Sequence, residues 1–195
     1  LTDDDIPNPL PDTLKTLNIR WAKNIPPELI LRILASDSIE KLSLYGCNLR
    51  GVIVPETLPA SLKTLNLYLA RNIPPALISR ALASDSIEEL AVYECDLSIL
   101  TDDDIPNPLL DTLKTLNLEW ARNIPPQLIK SALASNIEEL ALCGYDLSIL
   151  TDDDIPNPLP ASLKKLKLIQ ARNIPPALIS RALASDSIEE LDLSF

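Results

Sequence analysis

A short apolar motif returns eight times along this chain, at intervals of 23 to 26 residues. Each copy reads Leu/Ile-x-x-Leu-x-Leu/Ile/Val, and its first residue is called position one. The copies begin at Leu14, Ile39, Leu62, Ile87, Leu113, Ile137, Leu163 and Ile188. Such a period is typical of solenoids that contribute one strand per repeat, because a single unit cannot bury its apolar face alone. The pattern therefore predicts about eight strands lying side by side.

The segments between the predicted strands are of two types, which alternate. After the first, third, fifth and seventh copies, paired prolines precede an amphipathic stretch, and residues 75–83 are predicted to be helical. The other type, such as residues 98–109, has two prolines one residue apart and is predicted to be extended or at most a short turn. None of the 18 prolines falls in a predicted strand, where the missing N–H donor would break the ladder.

The predicted fold class is α/β. Strand, connection and parallel strand make a right-handed coil, the hand favoured for parallel crossovers. We expect a horseshoe-shaped solenoid with the parallel sheet on its concave face and alternating helical and extended segments on its convex face. The unbroken period predicts a single domain over residues 1–195. Neither end carries a recognisable cap, so self-association through open ends is a further expectation.

Two copies carry a family resemblance. Residues 39–49 and 87–97 fit the pattern L-x-x-L-x-L-x-x-N/C-x-L of leucine-rich repeats. Residues 10–14, 58–62 and 159–163 are similar to the Leu-Pro-x-Ser-Leu segment of bacterial effector-type leucine-rich repeats and of amoebal FNIP-type repeats. The resemblance implies intracellular protein interaction, as in the substrate-recognition arm of a bacterial effector or of a ubiquitin-ligase receptor.

The chain departs from the family pattern at position nine. The asparagine often found there is replaced by alanine in the helical type of repeat, and Tyr145 replaces cysteine in one copy of the other type. We expect the ladder between neighbouring backbones to be supplied two positions later, by Asn24, Asn72, Asn123 and Asn173.

Stacking in register converts each position of the motif into a row of side chains. Position seven carries three consecutive tyrosines and is expected to project from the concave side, with tryptophans beside it at position eight. Tyrosine and tryptophan are enriched at binding hot spots. The predicted partner-binding residues are Arg20, Trp21, Tyr45, Tyr68, Tyr93, Glu94, Glu119 and Trp120. The alternative is that these rings only cover the strands by cross-strand packing.

Charge narrows the class of partner. The formal net charge of -11 favours a protein or peptide, basic in character, and argues against nucleic acid, which requires clustered lysine and arginine. No apolar run approaches the ~18 residues that cross a bilayer, so no membrane partner is expected. Position two alternates Lys15, Glu40, Lys63, Glu88 and onward, which predicts ion pairs between neighbouring strands. Three cysteines and the lack of a signal peptide in this segment favour an intracellular location, or the host cell for an effector.

Catalytic chemistry is not expected. The chain has no histidine, and its three glycines form no phosphate-binding loop, so neither an enzymatic role nor a cofactor is predicted. Cys47 and Cys95 are expected in the core, and Cys143 is expected to be more exposed but without an activating partner. Three acidic runs are expected to be solvated turns capped by the preceding threonine, with calcium binding as the alternative. These runs are Asp3–Asp5, Asp102–Asp104 and Asp152–Asp154.

The sequence thus predicts a non-catalytic scaffold that binds a protein or peptide on its concave face. One alternative is a structural or engineered, consensus-like array without a specific ligand, which the near-identity of residues 98–109 and 148–159 would fit. The other alternative is a calcium-responsive module that uses the acidic runs.

Overall fold

The computed structural model describes Pro7 and residues 9–23 and 25–194. Across these residues, eight three-residue strands and four eight-residue α-helices follow one another along the chain. The strands are β1 (Thr16–Asn18), β2 (Lys41–Ser43), β3 (Thr64–Asn66), β4 (Glu89–Ala91), β5 (Thr115–Asn117), β6 (Glu139–Ala141), β7 (Lys165–Lys167) and β8 (Glu190–Asp192). The helices are α1 (Pro27–Leu34), α2 (Pro75–Leu82), α3 (Pro126–Leu133) and α4 (Pro176–Leu183).

The strands form one open parallel sheet, in the order in which they occur along the chain. The register is constant, because the central leucine of each strand lies opposite the central leucine of the next, as Leu42 does with Leu65. In the middle of the array, Leu65 and Leu67 are fully buried. Alternating side chains therefore point into the core and away from it. The prediction of an α/β fold with a parallel sheet of eight strands is confirmed for the described residues.

Each described helix begins at the second proline of a pair. Helix α2 begins at Pro75, directly after Pro74, because the fixed φ of proline suits the first helical position and no N–H partner is lost there. Its buried face consists of Leu77, Ile78, Ala81 and Leu82, as predicted. The helix ends at Leu82, and the backbone N–H of Ala83 closes its last turn. Of the described helices, none is long and apolar enough to cross a lipid bilayer.

The remaining connections are extended, with short 3-10 turns at Asp102–Asp104, Leu147–Ile149 and Asp152–Asp154. A basic side chain in each of three helices reaches such a neighbouring connection. Arg80 donates to the carbonyls of Val54 and Pro55, and Arg181 donates to the carbonyls of Asp152 and Ile155. Lys130 instead pairs with Asp154, with 2.8 Å between Nζ and Oδ1. These contacts tie α2, α3 and α4 to neighbouring connections.

The alternating charges at position two form ion pairs between neighbouring repeats. The N–O distances are 3.5 Å for Lys15 and Glu40, 3.7 Å for Lys63 and Glu88, and 2.8 Å for Lys164 and Glu138. All of these side chains are substantially exposed, so each pair contributes little to stability. Their alternation nonetheless opposes pairing between repeats of the same type.

The apolar core continues from repeat to repeat, but equivalent side chains are not equally buried along the array. Helices α2 and α4 have the same sequence, PALISRAL. Leu82 in α2 is 1% exposed, whereas the equivalent Leu183 in α4 is 71% exposed. After Leu82 the chain continues through β4 and the connection of residues 98–109, whereas after Leu183 the described residues comprise only β8 and its flanks, up to residue 194. Burial in this fold therefore depends on position in the array rather than on local sequence.

We expect Leu82→Ala to lower the free energy of unfolding by about 2–5 kcal/mol, because it leaves a cavity in a closed core. Leu183→Ala should change it by no more than about 0.5 kcal/mol, since most of that side chain is exposed. Urea denaturation followed by circular dichroism measures both variants at one protein concentration. A comparable loss in the two variants would contradict the uncovered placement of Leu183.

Candidate binding surface

Three tyrosines form a continuous stack on the outer face of the sheet. Position seven lies on that face because side chains at positions four and six point into the core. The ring centroids of Tyr45 and Tyr68 are 4.4 Å apart, with an interplanar angle of 9°. Those of Tyr68 and Tyr93 are 4.1 Å apart, at 11°. The structure thus brings the three predicted tyrosines into direct contact.

Arg20 and Trp21 close this stack at its β1 end. The guanidinium carbon of Arg20 lies 5.9 Å from the centroid of the Tyr45 ring, within reach of a cation–π attraction. The Trp21 ring meets the same tyrosine edge to face, with centroids 5.1 Å apart and planes at 79°. Five of the predicted residues, counting the three tyrosines, therefore form one cluster.

The stacked rings are half-buried, and their outer edges face solvent. Desolvation and the neighbouring Tyr68 hydroxyl raise the pKa of Tyr45. A hydrogen bond with Tyr93, followed by desolvation, raises the pKa of Tyr68. Both hydroxyls stay protonated at neutral pH, so this part of the surface is polar without being charged.

Position eight has a left-handed backbone in every described repeat, with φ between 54° and 73°. This conformation is uncommon for residues other than glycine. A hydrogen bond stabilises it, because the N–H of position eight donates to the carbonyl of position seven on the next strand. The N–O distances are 2.8 Å from Trp21 to Tyr45 and 3.0 Å from Glu94 to Glu119. The strand ladder thus continues through this turn.

Each tryptophan lies over a glycine at position eight of the following repeat. A Cβ added to Gly46 would stand less than 3.0 Å from three ring carbons of Trp21, and one added to Gly144 would meet Trp120 in the same way. The rings are accommodated because these glycines have no side chain. Trp21 is nevertheless 59% exposed and Trp120 39% exposed. Each tryptophan therefore combines a structural contact with a large accessible surface.

Glu94 and Trp120 line a second feature, a groove of about 760 Å³ beyond the carboxyl ends of β3, β4 and β5. Arg71, Asp96 and Arg122, all at position ten, line it as well. The sequence prediction did not include these three residues. The predicted surface is therefore divided between the tyrosine stack and this groove.

The asparagines at position eleven bond to side chains rather than to neighbouring backbones. Asn72 Nδ2 donates to Asn48 Oδ1 at 2.7 Å, and Asn123 Nδ2 donates to Asp96 Oδ1 at 3.0 Å. This hydrogen bond and those from Ser98 lower the pKa of Asp96. The backbone at position ten pairs with that of the following repeat in three places, which are Asn48 with Arg71, Asp96 with Arg122 and Asp146 with Arg172. Asn24 lies outside the described residues.

All three thiols are buried, which corrects the prediction for Cys143. Cys47 and Cys95 lie in the core as expected, but Cys143 is only 2% exposed. Its Sγ donates to Glu119 Oε1 at 3.5 Å, and Ile169 occupies the same row on the other neighbouring strand. Larger side chains on both sides therefore cover this small residue. Burial, followed by the Glu119 charge, raises the pKa of Cys143 to about 11.

The two described acidic runs form 3-10 turns capped by the preceding threonine, as predicted. Asp104 Oδ2 accepts from the N–H of Thr101 at 2.9 Å and from its hydroxyl at 2.8 Å. Asp154 accepts from Thr151 in the same way. The run Asp3–Asp5 lies outside the described residues. Within the described ranges, no three carboxylate or thiol side chains gather closely enough to hold a metal ion.

Comparisons with protein-family models, with curated proteins and with solved structures give no match to this chain. Its fold and its surface chemistry are therefore the basis for assigning a function.

We expect Gly144→Ala to lower the free energy of unfolding by about 1–3 kcal/mol, from the left-handed backbone and from the clash with Trp120. In a Trp120→Leu background, only the backbone cost of about 1–2 kcal/mol should remain. Leu69 shows that position eight accepts leucine with this backbone. Urea denaturation of the four proteins in this double-mutant cycle gives the coupling. An equal cost in both backgrounds would mean that the ring does not cover Gly144.

Alkaline pH should weaken the fold through the buried thiols. Burial raises the pKa of Cys95 from 9.0 to about 12, and that of Cys143 to about 11. Because the folded state binds these protons more tightly, this stabilisation is complete below pH 9.0 and is lost as the pH rises through 11 to 12. Urea denaturation between pH 9 and pH 11 should show a falling free energy of unfolding. The double variant Cys95→Ala, Cys143→Ala should show a shallower fall, and an equal slope would contradict the shifts.

Proposed function

We propose that this chain is a non-catalytic recognition scaffold that binds a protein or peptide across the outer face of its sheet. The observation that carries this proposal is the stack of Tyr45, Tyr68 and Tyr93. Cross-strand contacts already order these rings, so little further conformational entropy is lost when a partner covers them. Tyrosine also combines an apolar ring with a polar hydroxyl, which suits a surface that is wet when free and buried when bound.

The proposal includes a leucine-rich-repeat solenoid with right-handed crossovers and a concave sheet. Parallel strands joined by crossovers are almost always right-handed. Each pair of repeats adds about 9.6 Å on the strand side, where strands lie ~4.8 Å apart. On the other side, the same pair must fit a helix about 10 Å wide and an extended segment. This difference curves the array toward the sheet and places the tyrosine stack on the inner side of the curve.

A basic partner suits the charge of this chain. The net charge is -11, which favours a basic partner, whereas the groove beside the stack contains both carboxylates, Glu94 and Asp96, and guanidinium groups, Arg71 and Arg122. Opposite charge at the rim of an interface speeds association and orients the partner more than it adds affinity. We therefore assign affinity to the rings and orientation to the carboxylates.

The chemistry of the described side chains supports a non-catalytic role. A cysteine nucleophile acts as the thiolate, and burial raises the pKa of all three thiols above its ordinary value. The sequence contains no histidine to act as a base near neutral pH. Binding without chemistry is accordingly the function that this surface favours.

A purely structural array is the competing interpretation, and the stack itself is the observation that favours it. Stacked aromatic pairs contribute about 0.5–1.5 kcal/mol beyond the area that they bury. The rings could therefore be present for stability alone. The two interpretations differ in whether loss of the rings abolishes binding or only weakens the fold.

The test is selection of peptides from a random displayed library against the immobilised chain. We expect enriched peptides whose affinity falls at least about tenfold in the double variant Tyr45→Ala, Tyr68→Ala, because hot-spot tyrosines contribute more than about 1.4 kcal/mol. Tyr145→Phe is the matched control, since Tyr145 lies off the stack and its hydroxyl donates to the Ile124 carbonyl.

Circular dichroism must show that each variant keeps the wild-type spectrum at the temperature of the binding assay. Peptides that bind the double variant as tightly as wild type would contradict the proposed surface. Failure to enrich any peptide over the double variant, combined with a lower unfolding free energy in that variant, would support the structural array instead.

A further inference from the structure

The outer face of the sheet is divided by charge along its length. At positions three, five, seven and eight, the first three repeats carry Arg20 and Lys41 and no carboxylate. The same positions of the next three repeats carry four glutamates and no lysine or arginine. These are Glu89, Glu94, Glu119 and Glu139. The tyrosine stack spans the boundary, with a cation of this chain at one end and a carboxylate at the other.

The last ring of the stack, Tyr93, has one face on which no described ring stacks, called here its open face. One face of Tyr93 lies against Tyr68, so its other face is directed toward β5. Glu119 and Trp120, which follow β5, both contact the next repeat along the array. Glu119 Oε1 accepts from Cys143, and the Trp120 ring lies over Gly144. In the described structure, no further ring stacks on Tyr93 from this side.

Two carboxylates flank this open face without a cation of their own. Glu119 follows Tyr93 in the position-seven row, and Glu94 follows it in the chain. Among the residues that the structure describes, no lysine or arginine lies within ion-pair distance of either carboxylate. After the larger effect of Glu139, the charge of Glu119 helps to raise the pKa of Lys167. The Lys167 Nζ nevertheless pairs with Glu139 Oε1, at 2.6 Å. Glu94 and Glu119 therefore retain negative charge next to the half-buried Tyr93 ring.

The β1 end of the stack, where Arg20 lies, indicates which chemical group suits an aromatic ring next to carboxylates. There Arg20 lies over the Tyr45 ring, with its guanidinium carbon 5.9 Å from the ring centroid, and the Trp21 ring contacts the same tyrosine edge to face. A guanidinium is planar and weakly hydrated, so it stacks on an aromatic ring while its N–H groups bind a carboxylate in parallel. A lysine ammonium provides neither the plane nor the paired donors.

We propose that the open face of Tyr93, together with Glu119 and Glu94, receives an arginine side chain of the bound partner. This inference rests on the proposed function, because the guanidinium belongs to the protein or peptide that covers the sheet. The arginine completes a row that then has a cation on each end of the tyrosine stack. It also neutralises part of the negative charge of Glu94 and Glu119.

The experiment uses N-acetyl-arginine amide as the probe and NMR of tyrosine-labelled protein as the readout, with Tyr93 assigned through Tyr93→Phe. We expect a saturable shift of the Tyr93 ring signals, with a dissociation constant in the millimolar range. N-acetyl-lysine amide should bind at least about threefold more weakly, because it lacks the planar fork. The citrulline analogue keeps the shape and loses the charge, so it should give no saturable shift. Absence of a shift with the arginine amide would overturn the site.

Variants separate the site from general attraction to an acidic protein. Glu119→Gln should weaken binding of the arginine amide about fivefold, because it removes the charge-assisted hydrogen bonds. Glu88→Gln is the matched control, since it removes the same charge from position two, where Glu88 pairs with Lys63. Tyr93→Leu should abolish binding, followed at the Glu94 amide. Equal effects of Glu119→Gln and Glu88→Gln would overturn the proposal.

The selected peptides distinguish failure of this inference from failure of the proposed function. Peptides that require Tyr45 and Tyr68, but contain no arginine or bind Glu119→Gln as tightly as wild type, would overturn the arginine site and leave the proposed function standing. Binding of the arginine amide at Tyr93 without any selectable peptide would support the site and count against the proposed function.

Discussion

Backbone pairing between consecutive repeats is the constraint on which this structure depends. A three-residue strand has too few hydrogen bonds and too little apolar surface to be stable alone. Each strand therefore relies on its two neighbours, and the ladder continues past it through the left-handed residue at position eight to position ten. The constant leucine register follows from this pairing, because a slip would turn buried side chains outward. Every row of side chains on the outer face follows from that register.

The alternation of two repeat types adds specificity to this pairing. A helical repeat carries lysine at position two and arginine or lysine at position ten, whereas its neighbours carry glutamate at position two and asparagine or aspartate at position ten. Slippage by one repeat would oppose like charges in both rows and would place helix against helix. The individual ion pairs are weak because they are exposed. Their value lies in excluding wrong arrangements rather than in stabilising the right one.

The tyrosine stack follows from the same register as the core. The same register that buries Leu65 and Leu67 places Tyr45, Tyr68 and Tyr93 at stacking distance on the opposite face. Stacking holds the rings in place, leaves their edges accessible and hides the faces between them. Only the face of Tyr93 toward β5 stays uncovered by another ring of the described chain, and that is where Glu94 and Glu119 gather. A partner would thus meet a pre-ordered apolar strip with a charged end.

The sequence by itself determined the periodic features. The motif spacing predicted the parallel sheet, paired prolines predicted α2 to within one residue, and the phase of the motif placed the three tyrosines in one row. These features are local or strictly repeating, so they can be read without knowing how distant side chains meet.

Only the tertiary structure decided the rest. Cys143 is buried because neighbouring strands carry larger side chains in its row, and Leu183 is exposed although Leu82 in an identical helix is not. Trp120 lies over Gly144 and lines, together with Glu94, a groove that also contains position-ten residues. Such outcomes depend on which side chains the adjacent repeat carries, and the sequence of a single motif does not contain that information.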